Sequence, residues 1–167
     1  MEISLQKMNN NNFYFYYKLR CENKNILYTG HSKQPEYSIL KEWSKNINEE
    51  NKKLIYLVEY NNICVGYIHL DIKGKNVEIG YAVSEKDENK GTGTLIVRQC
   101  ILLIEKEFQY IEEIIAWIAE FNEHSIKCVL NNNFIRLQET KETFYEGYDK
   151  CLTMRKYIYR TKQQEEF

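Results

Sequence analysis

The segment VEIGYAVSEKDENKGTGTLIVRQCILLIEKEF, Val77–Phe108, joins a strand to a long helix through a turn that carries two glycines. Val77–Val83 follows the turn residues Lys73-Gly74-Lys75-Asn76 and reads as a strand. From Thr92 to Phe108 the apolar residues Leu95, Ile96, Val97, Cys100, Ile101, Leu103 and Ile104 cover most sides of a helix, which predicts that it is well buried. Between the two lies Glu88-Asn89-Lys90-Gly91-Thr92-Gly93. Glycines there let the backbone turn with several N–H groups pointing one way, and the helix dipole adds partial positive charge, so the junction is a cup suited to a pyrophosphate. The common nucleotide loops do not fit. Ile96 stands where a dinucleotide fingerprint has its third glycine, and no Lys-Ser or Lys-Thr follows the last glycine.

Upstream, Leu54–Tyr60 and Ile63–Leu70 are strands rich in β-branched and aromatic residues, joined through Asn61 and Asn62, which tolerate the positive φ of a tight hairpin. Three antiparallel strands therefore arrive in succession. Glu2–Met8 alternates through Ile3 and Leu5 and reads as a first strand. Phe13–Arg20 fits two periods and is taken as a helix capped by the preceding asparagines; Tyr28–Pro35 is a loop. Tyr37–Asn48 is a helix with Ile39, Leu40, Trp43 and Ile47 on one face. Downstream come a strand over Ile111–Phe121, a short helix over Glu123–Leu130 started by Asn122, and strands near Ile135–Thr140 and Cys151–Tyr159. The order is βααβββαβαββ. It predicts an α+β fold, a mixed, mostly antiparallel sheet of about seven strands flanked by about four helices. Residues 1–160 are expected to form one domain, followed by a polar tail over 161–167.

Composition agrees with a folded globular chain. Among 167 residues there are 14 Tyr, 7 Phe and 2 Trp but one Pro, too aromatic for a disordered or linker-like sequence. With 23 Lys+Arg against 24 Asp+Glu, the net charge of −1 favours neither nucleic acid nor an anionic membrane as a partner, so any anionic ligand must be held locally. Five scattered cysteines without a Cys-x-x-Cys pair argue against a disulfide framework and a zinc site, and His31, His69 and His124 lack ligand spacing, so no metal is expected. Met1–Met8 has no apolar stretch of signal-peptide type, and the longest apolar zone, Leu95–Ile104, is too short to span a membrane. A cytoplasmic protein is the expectation.

Val77–Val83, the glycine loop, the long helix, and then Asn122, Ser125 and Phe134 together resemble the GNAT superfamily of N-acetyltransferases, with amino-sugar and ribosomal-protein alanine acetyltransferases as the most similar members. Members carry Arg/Gln-x-x-Gly-x-Gly/Ala in the loop, matched by Gly91 and Gly93. A later Asn-x-x-Ser/Ala followed by Gly-Phe is matched by Asn122, Ser125 and Phe134. Three positions depart from the pattern: Glu88 replaces the usual Arg or Gln, Asn133 the Gly before Phe134, and Val129 a Tyr that in many members protonates the leaving thiolate.

The resemblance implies acetyl-CoA as cosubstrate, its pantetheine hydrogen-bonded along Tyr81, Ala82 and Val83. Its pyrophosphate would lie on the N–H groups of Glu88, Asn89, Lys90, Gly91, Thr92, Gly93 and Thr94, with Asn122 against the pantetheine arm. An alkyl amine of pKa ~10 is almost wholly protonated at neutral pH, so attack on the thioester needs a base, for which Glu78 is the candidate. Ser125 is the candidate acid for the leaving thiolate, with Tyr145 and Tyr148 behind it. The three histidines are expected to take no catalytic part, and Trp43 and Trp117 are expected to pack in the core or over the sheet. The expected reaction is acetyl transfer to a primary amine of a small molecule, an amino-sugar nucleotide in the leading reading. The alternatives are a protein α-amine and a non-catalytic acyl-CoA-binding module. The exposed final strands offer an edge for a homodimer.

Overall fold

Asn61 and Asn62 both adopt positive φ, 50° and 62°, so strand β2 (Lys53–Tyr60) turns directly into β3 (Ile63–Lys73). Gly74, at φ 63°, makes the next reversal into β4 (Asn76–Val83), and these three strands pair antiparallel as their sequence predicts. The computed structural model describes residues 2–49 and 52–162. Its remaining elements are β1 (Ile3–Lys7), α1 (Phe13–Arg20), α2 (Asn23–Tyr28), α3 (Tyr37–Glu49), α4 (Thr92–Glu107), β5 (Glu113–Ala119), α5 (Glu123–Leu130), β6 (Ile135–Tyr145) and β7 (Lys150–Arg160). The sheet order is β1-β2-β3-β4-β5-β7-β6, antiparallel throughout except where β4 meets β5.

The pleat sorts residues onto two faces. On the back, Val58, Ile68, Leu70, Val77, Ile79 and Ile114 pack against Ile96, Val97, Cys100 and Ile104 of α4, which is why that helix is apolar on most sides. On the front, Ile55, Leu57 and Tyr67 receive Phe13, Tyr16 and Leu19 of α1 and Leu40 of α3. Tyr16 is wholly buried, its ring 5.1 Å from that of Tyr67 in an edge-on packing.

Three local expectations are corrected. Among the described residues three helices rather than two precede β2, because α2 forms where no periodic pattern marks it. Its six residues are held by Asn25, whose Nδ2 donates to Leu19 O at 3.0 Å and to Glu22 Oε2 at 3.1 Å. The asparagine run does not cap α1 through the Asn12 side chain. Asn9 Oδ1 accepts from the N–H groups of Asn11 and Asn12, Asn12 Oδ1 accepts from Asn9 N, and Phe13 N is left to the Asn9 carbonyl at 3.0 Å. β6 continues to Tyr145, well past Thr140, because β7 pairs with it as far as Lys150. The expected polar tail lies, from residue 163 onward, outside the described residues. No helix among the described residues is long and apolar enough to cross a membrane.

Candidate active site

β4 and β5 run parallel but pair only at Asn76↔Glu113, Val77↔Ile114 and Glu78↔Ile115. Beyond Glu78 they part, so Ile79–Val83 and Ala116–Ala119 form the two arms of a fork. The groups of β4 that face away from β3 have no strand partner there. Each arm leads into the N-terminus of a helix, α4 after β4 and α5 after β5. This is the place in a sheet with parallel strands where ligands bind. A cavity of about 560 Å³ fills the fork and runs from the glycine loop through to the front face.

The two loop glycines do different work. Gly91 has φ 80° and open space around it, so it is needed for backbone conformation. A Cβ on Gly93 would stand 2.8 Å from Cys128 Sγ, so this glycine lets α4 approach α5. The hydroxyl of Thr92, at the first turn of α4, is buried without a hydrogen-bond partner beside the cavity. Free main-chain donors, a helix dipole and an unpartnered hydroxyl fit an oxyanion such as a diphosphate.

The charge of the loop is not what the local sequence implies. Glu22, between α1 and α2, accepts from Ser84 Oγ at 3.1 Å and from Glu85 N at 3.0 Å, fastening α2 beside the loop. Lys24 of α2 then reaches Glu88, Nζ to Oε2 2.5 Å. A lysine 64 residues away thus neutralises the acid that replaces the usual Arg or Gln, and lines the cavity itself. Lys90, by contrast, turns to the Lys86 carbonyl at 2.5 Å and to Asp87.

Asn122 caps α5, its Oδ1 accepting from Ser125 N at 3.2 Å, as the sequence predicts. Ser125 lines the cavity, and its carbonyl accepts from the Tyr81 hydroxyl at 3.3 Å. Burial pushes the Tyr81 phenol well above its ordinary pKa, so it is a donor throughout the physiological range. The sequence points only to the main chain of Tyr81. The structure brings its phenol beside α5, while Val129 is fully buried.

Glu78, expected beside the reacting atoms, stands at the foot of the fork as the last residue of β4 paired with β5. Its carboxylate lies 3.2 Å from Lys73 Nζ, and it is not among the residues lining the cavity. Glu78 shares the front face of β4 with Gly80, but it lies one pleat repeat back, where β5 is still paired, and the cavity wall on this strand begins only at Ile79. Three groups read as bystanders are at the wall: Trp117, His69 and, at the head of α5, His124. Trp117 lines the cavity, with Lys141 Nζ 4.3 Å and Lys156 Nζ 5.7 Å from its ring centroid. His69 lines it opposite Gly80, its Nε2 2.9 Å from Tyr16 Oη. Tyr145 closes the front by laying its ring over Gly30, where the Glu146 N–H donates to the Gly30 carbonyl at 2.9 Å. A single histidine or tryptophan in a strand carries no sequence signal for these positions.

Burial lowers the His69 pKa from 6.5 to about 3. Between those values the unfolded chain binds a proton that the folded one does not. The stability contributed by neutral His69 is therefore complete above pH 6.5 and is lost as the pH falls toward 3. Urea denaturation of His69→Gln across that window is expected to show a flatter dependence on pH than the parent; equal slopes would mean that another group dominates.

The model of the acetyltransferase (GNAT) family matches residues 14–134. No curated protein matches the sequence. A spermidine N-acetyltransferase from Vibrio cholerae, solved with CoA and spermine, superposes with a TM-score of 0.84 at 13% identity over 96% of each chain. The aminoglycoside acetyltransferase AAC(6')-Ib, solved with coenzyme A, does so with a TM-score of 0.77 at 16% identity over 95% of each chain. At such identities the likeness shows a shared fold.

Proposed function

The chain belongs to the GNAT acetyltransferase family, and from that premise we propose that acetyl-CoA enters between β4 and β5 and passes its acetyl group to a primary amine on the front face, an amino-sugar nucleotide being the best-fitting class. The observation that carries this reading is the fork, an open strand edge flanked by two helix N-termini and continuous with a front cavity.

Acetyl-CoA supplies a thioester carbonyl for the amine to attack and a thiol to leave. The main chain of Tyr81, Ala82 and Val83 offers strand-like hydrogen bonds to its pantetheine amides, and a backbone N–H near Tyr81 or Ala82 serves the developing oxyanion. The N–H groups from Glu88 to Thr94, with Lys24 beside them, hold the diphosphate. Asn122 meets the pantetheine arm. Ser125 gives a proton to the thiolate, which at a pKa of ~8.5 needs little help to leave.

Glu78 acts through water, since it does not reach the cavity wall. Glu78→Gln is expected to lower kcat by about 100-fold at neutral pH and to recover at high pH, where the amine loses its proton unaided. An unchanged pH profile would remove Glu78 from the reaction.

The acceptor reading is supported by aromatic walls, Tyr28, Trp117 and Tyr145, that suit a sugar or base, and by Lys141 and Lys156 flanking Trp117. The spermidine N-acetyltransferase holds spermine, a polycation. Among the described residues the sole carboxylate lining this cavity is Glu88, already bound to Lys24. Thiol release from acetyl-CoA, measured with amino-sugar nucleotides, spermidine and short peptides, is expected to give the highest kcat/KM with the first. Preference for spermidine or a peptide would overturn the acceptor, and CoA binding without release from any of them would favour a non-catalytic acyl-CoA-binding module.

A further inference from the structure

Arg20, Tyr16 and His69 form a buried line of hydrogen bonds that the chemistry above leaves unused. Arg20 Nη1 donates to Tyr16 Oη at 2.7 Å, and Tyr16 Oη lies 2.9 Å from His69 Nε2. A guanidinium has donors only, so the phenol oxygen is the acceptor in the first bond. Tyr16 is 0% exposed, and its own proton must find an acceptor within the line. His69 Nε2 is the one within reach. Were Nε2 to carry a proton instead, the phenol would receive two hydrogen bonds and its O–H would be stranded in the core, at a cost of about 1–3 kcal/mol.

The imidazole proton therefore belongs on Nδ1. That nitrogen has no hydrogen-bond partner among the described residues, and His69 lines the cavity beside Tyr67 and opposite Gly80. Nor is it one of the enclosed polar side-chain atoms without partners, which among the described residues are Arg20 Nε and Thr92 Oγ1.

We propose that Arg20 and Tyr16 lock His69 as a neutral Nδ1–H donor facing the acceptor end of the cavity, and that the amine substrate binds there through a hydroxyl, carbonyl or anionic oxygen. The second half rests on the acetyl-transfer reading, whereas the first does not. The surroundings of His69 oppose its protonation. Arg20 on α1 is 7% exposed and joins none of the ion pairs among the described residues. Tyr16 on α1 and Tyr67 on β3 are neutral phenols held above their usual pKa by burial, and Lys53 on β2 adds positive charge. α3 offers Trp43, 6.2 Å between ring centroids, and β4 offers Gly80 without a side chain. Asp71 and Glu78, further along this face, are engaged by Lys53 and Lys73. An N–H donor cannot pair with an ammonium, so a polyamine gains nothing at this point, while a sugar hydroxyl or a carboxylate does.

The test is a long-range ¹H–¹⁵N correlation spectrum of the ligand-free protein labelled at histidine, with His69→Gln assigning the resonance. The expected result is a neutral Nδ1–H imidazole at pH 7. Tyr16→Phe is expected to shift the population toward Nε2–H, to raise the acceptor KM about 10-fold or more, and to leave the KM for acetyl-CoA unchanged. An Nε2–H or charged His69 in the parent protein overturns the lock, and that spectrum decides even if the variant fails to fold. Calorimetry in the presence of CoA decides the second half: spermidine binding as tightly as an amino sugar overturns it. Failure of thiol release with every amine would defeat the acetyl-transfer reading and leave the tautomer result standing.

Discussion

Gly66→Ala is expected to destabilise the protein by about 3 kcal/mol or more and to weaken CoA binding at the same time. A Cβ at this position would stand 2.4 Å from the Ala82 carbonyl oxygen and 2.7 Å from Ile96 Cδ1. The first is backbone of β4, and the second is the tip of a side chain that is 0% exposed under α4. Neither can retreat without moving an element that forms the cavity: shifting Ala82 moves one arm of the fork, and shifting Ile96 lifts the helix whose N-terminus faces it. Overpacking is therefore transmitted to the binding edge rather than absorbed at the surface. Urea denaturation and CoA calorimetry on the same variant check both halves. A loss below about 1 kcal/mol with full affinity would mean that β3 and β4 slide apart at little cost.

The second large effect is expected at Lys24. Its ammonium meets Glu88 at 2.5 Å beside Asn89, Gly91 and Thr92, and the carboxylate hydrogen bond raises its pKa, so it is fully charged at neutral pH. Lys24→Glu places a carboxylate beside Glu88 and Glu85 at the point where a diphosphate would lie. Removing the cation and adding a like charge are together expected to reduce CoA affinity about 100-fold, roughly 2.7 kcal/mol. Pantetheine, which lacks the diphosphate, should bind as before, and the deficit for CoA should shrink in high salt. Equal losses for CoA and pantetheine would show that α2 has been displaced instead.

Most of the architecture is legible in the sequence, because its signals act over a few residues. Asn61-Asn62 specifies a turn through positive φ, and Gly91 does so at the head of α4. Asn122 followed by Ser125 specifies a cap that forms as written. α2 escapes detection because a six-residue helix has too few turns to show a period, and its anchor, Asn25, looks like any surface amide until it meets Leu19 and Glu22. The candidate site is legible only in part. Its loop and strand edge are contiguous in sequence, whereas its walls are assembled from Tyr28, His69, Trp117 and Tyr145, on four separate segments.

The sequence by itself determined the order of elements, the glycine turn and the family resemblance, since propensity, period and turn chemistry are local properties of the chain. Tertiary structure alone decided that β4 and β5 separate after three residue pairs, leaving Glu78 below the cavity and Gly80 at its wall. It also decided that Lys24 neutralises Glu88 across 64 residues and that Tyr16 meets His69 across 53. The physical reason is common to all of these. Where strands part and which charges meet is set by how α1, α2, α4 and α5 pack on the two faces of the sheet, a balance of burial and hydrogen bonding between segments that no short stretch of residues contains.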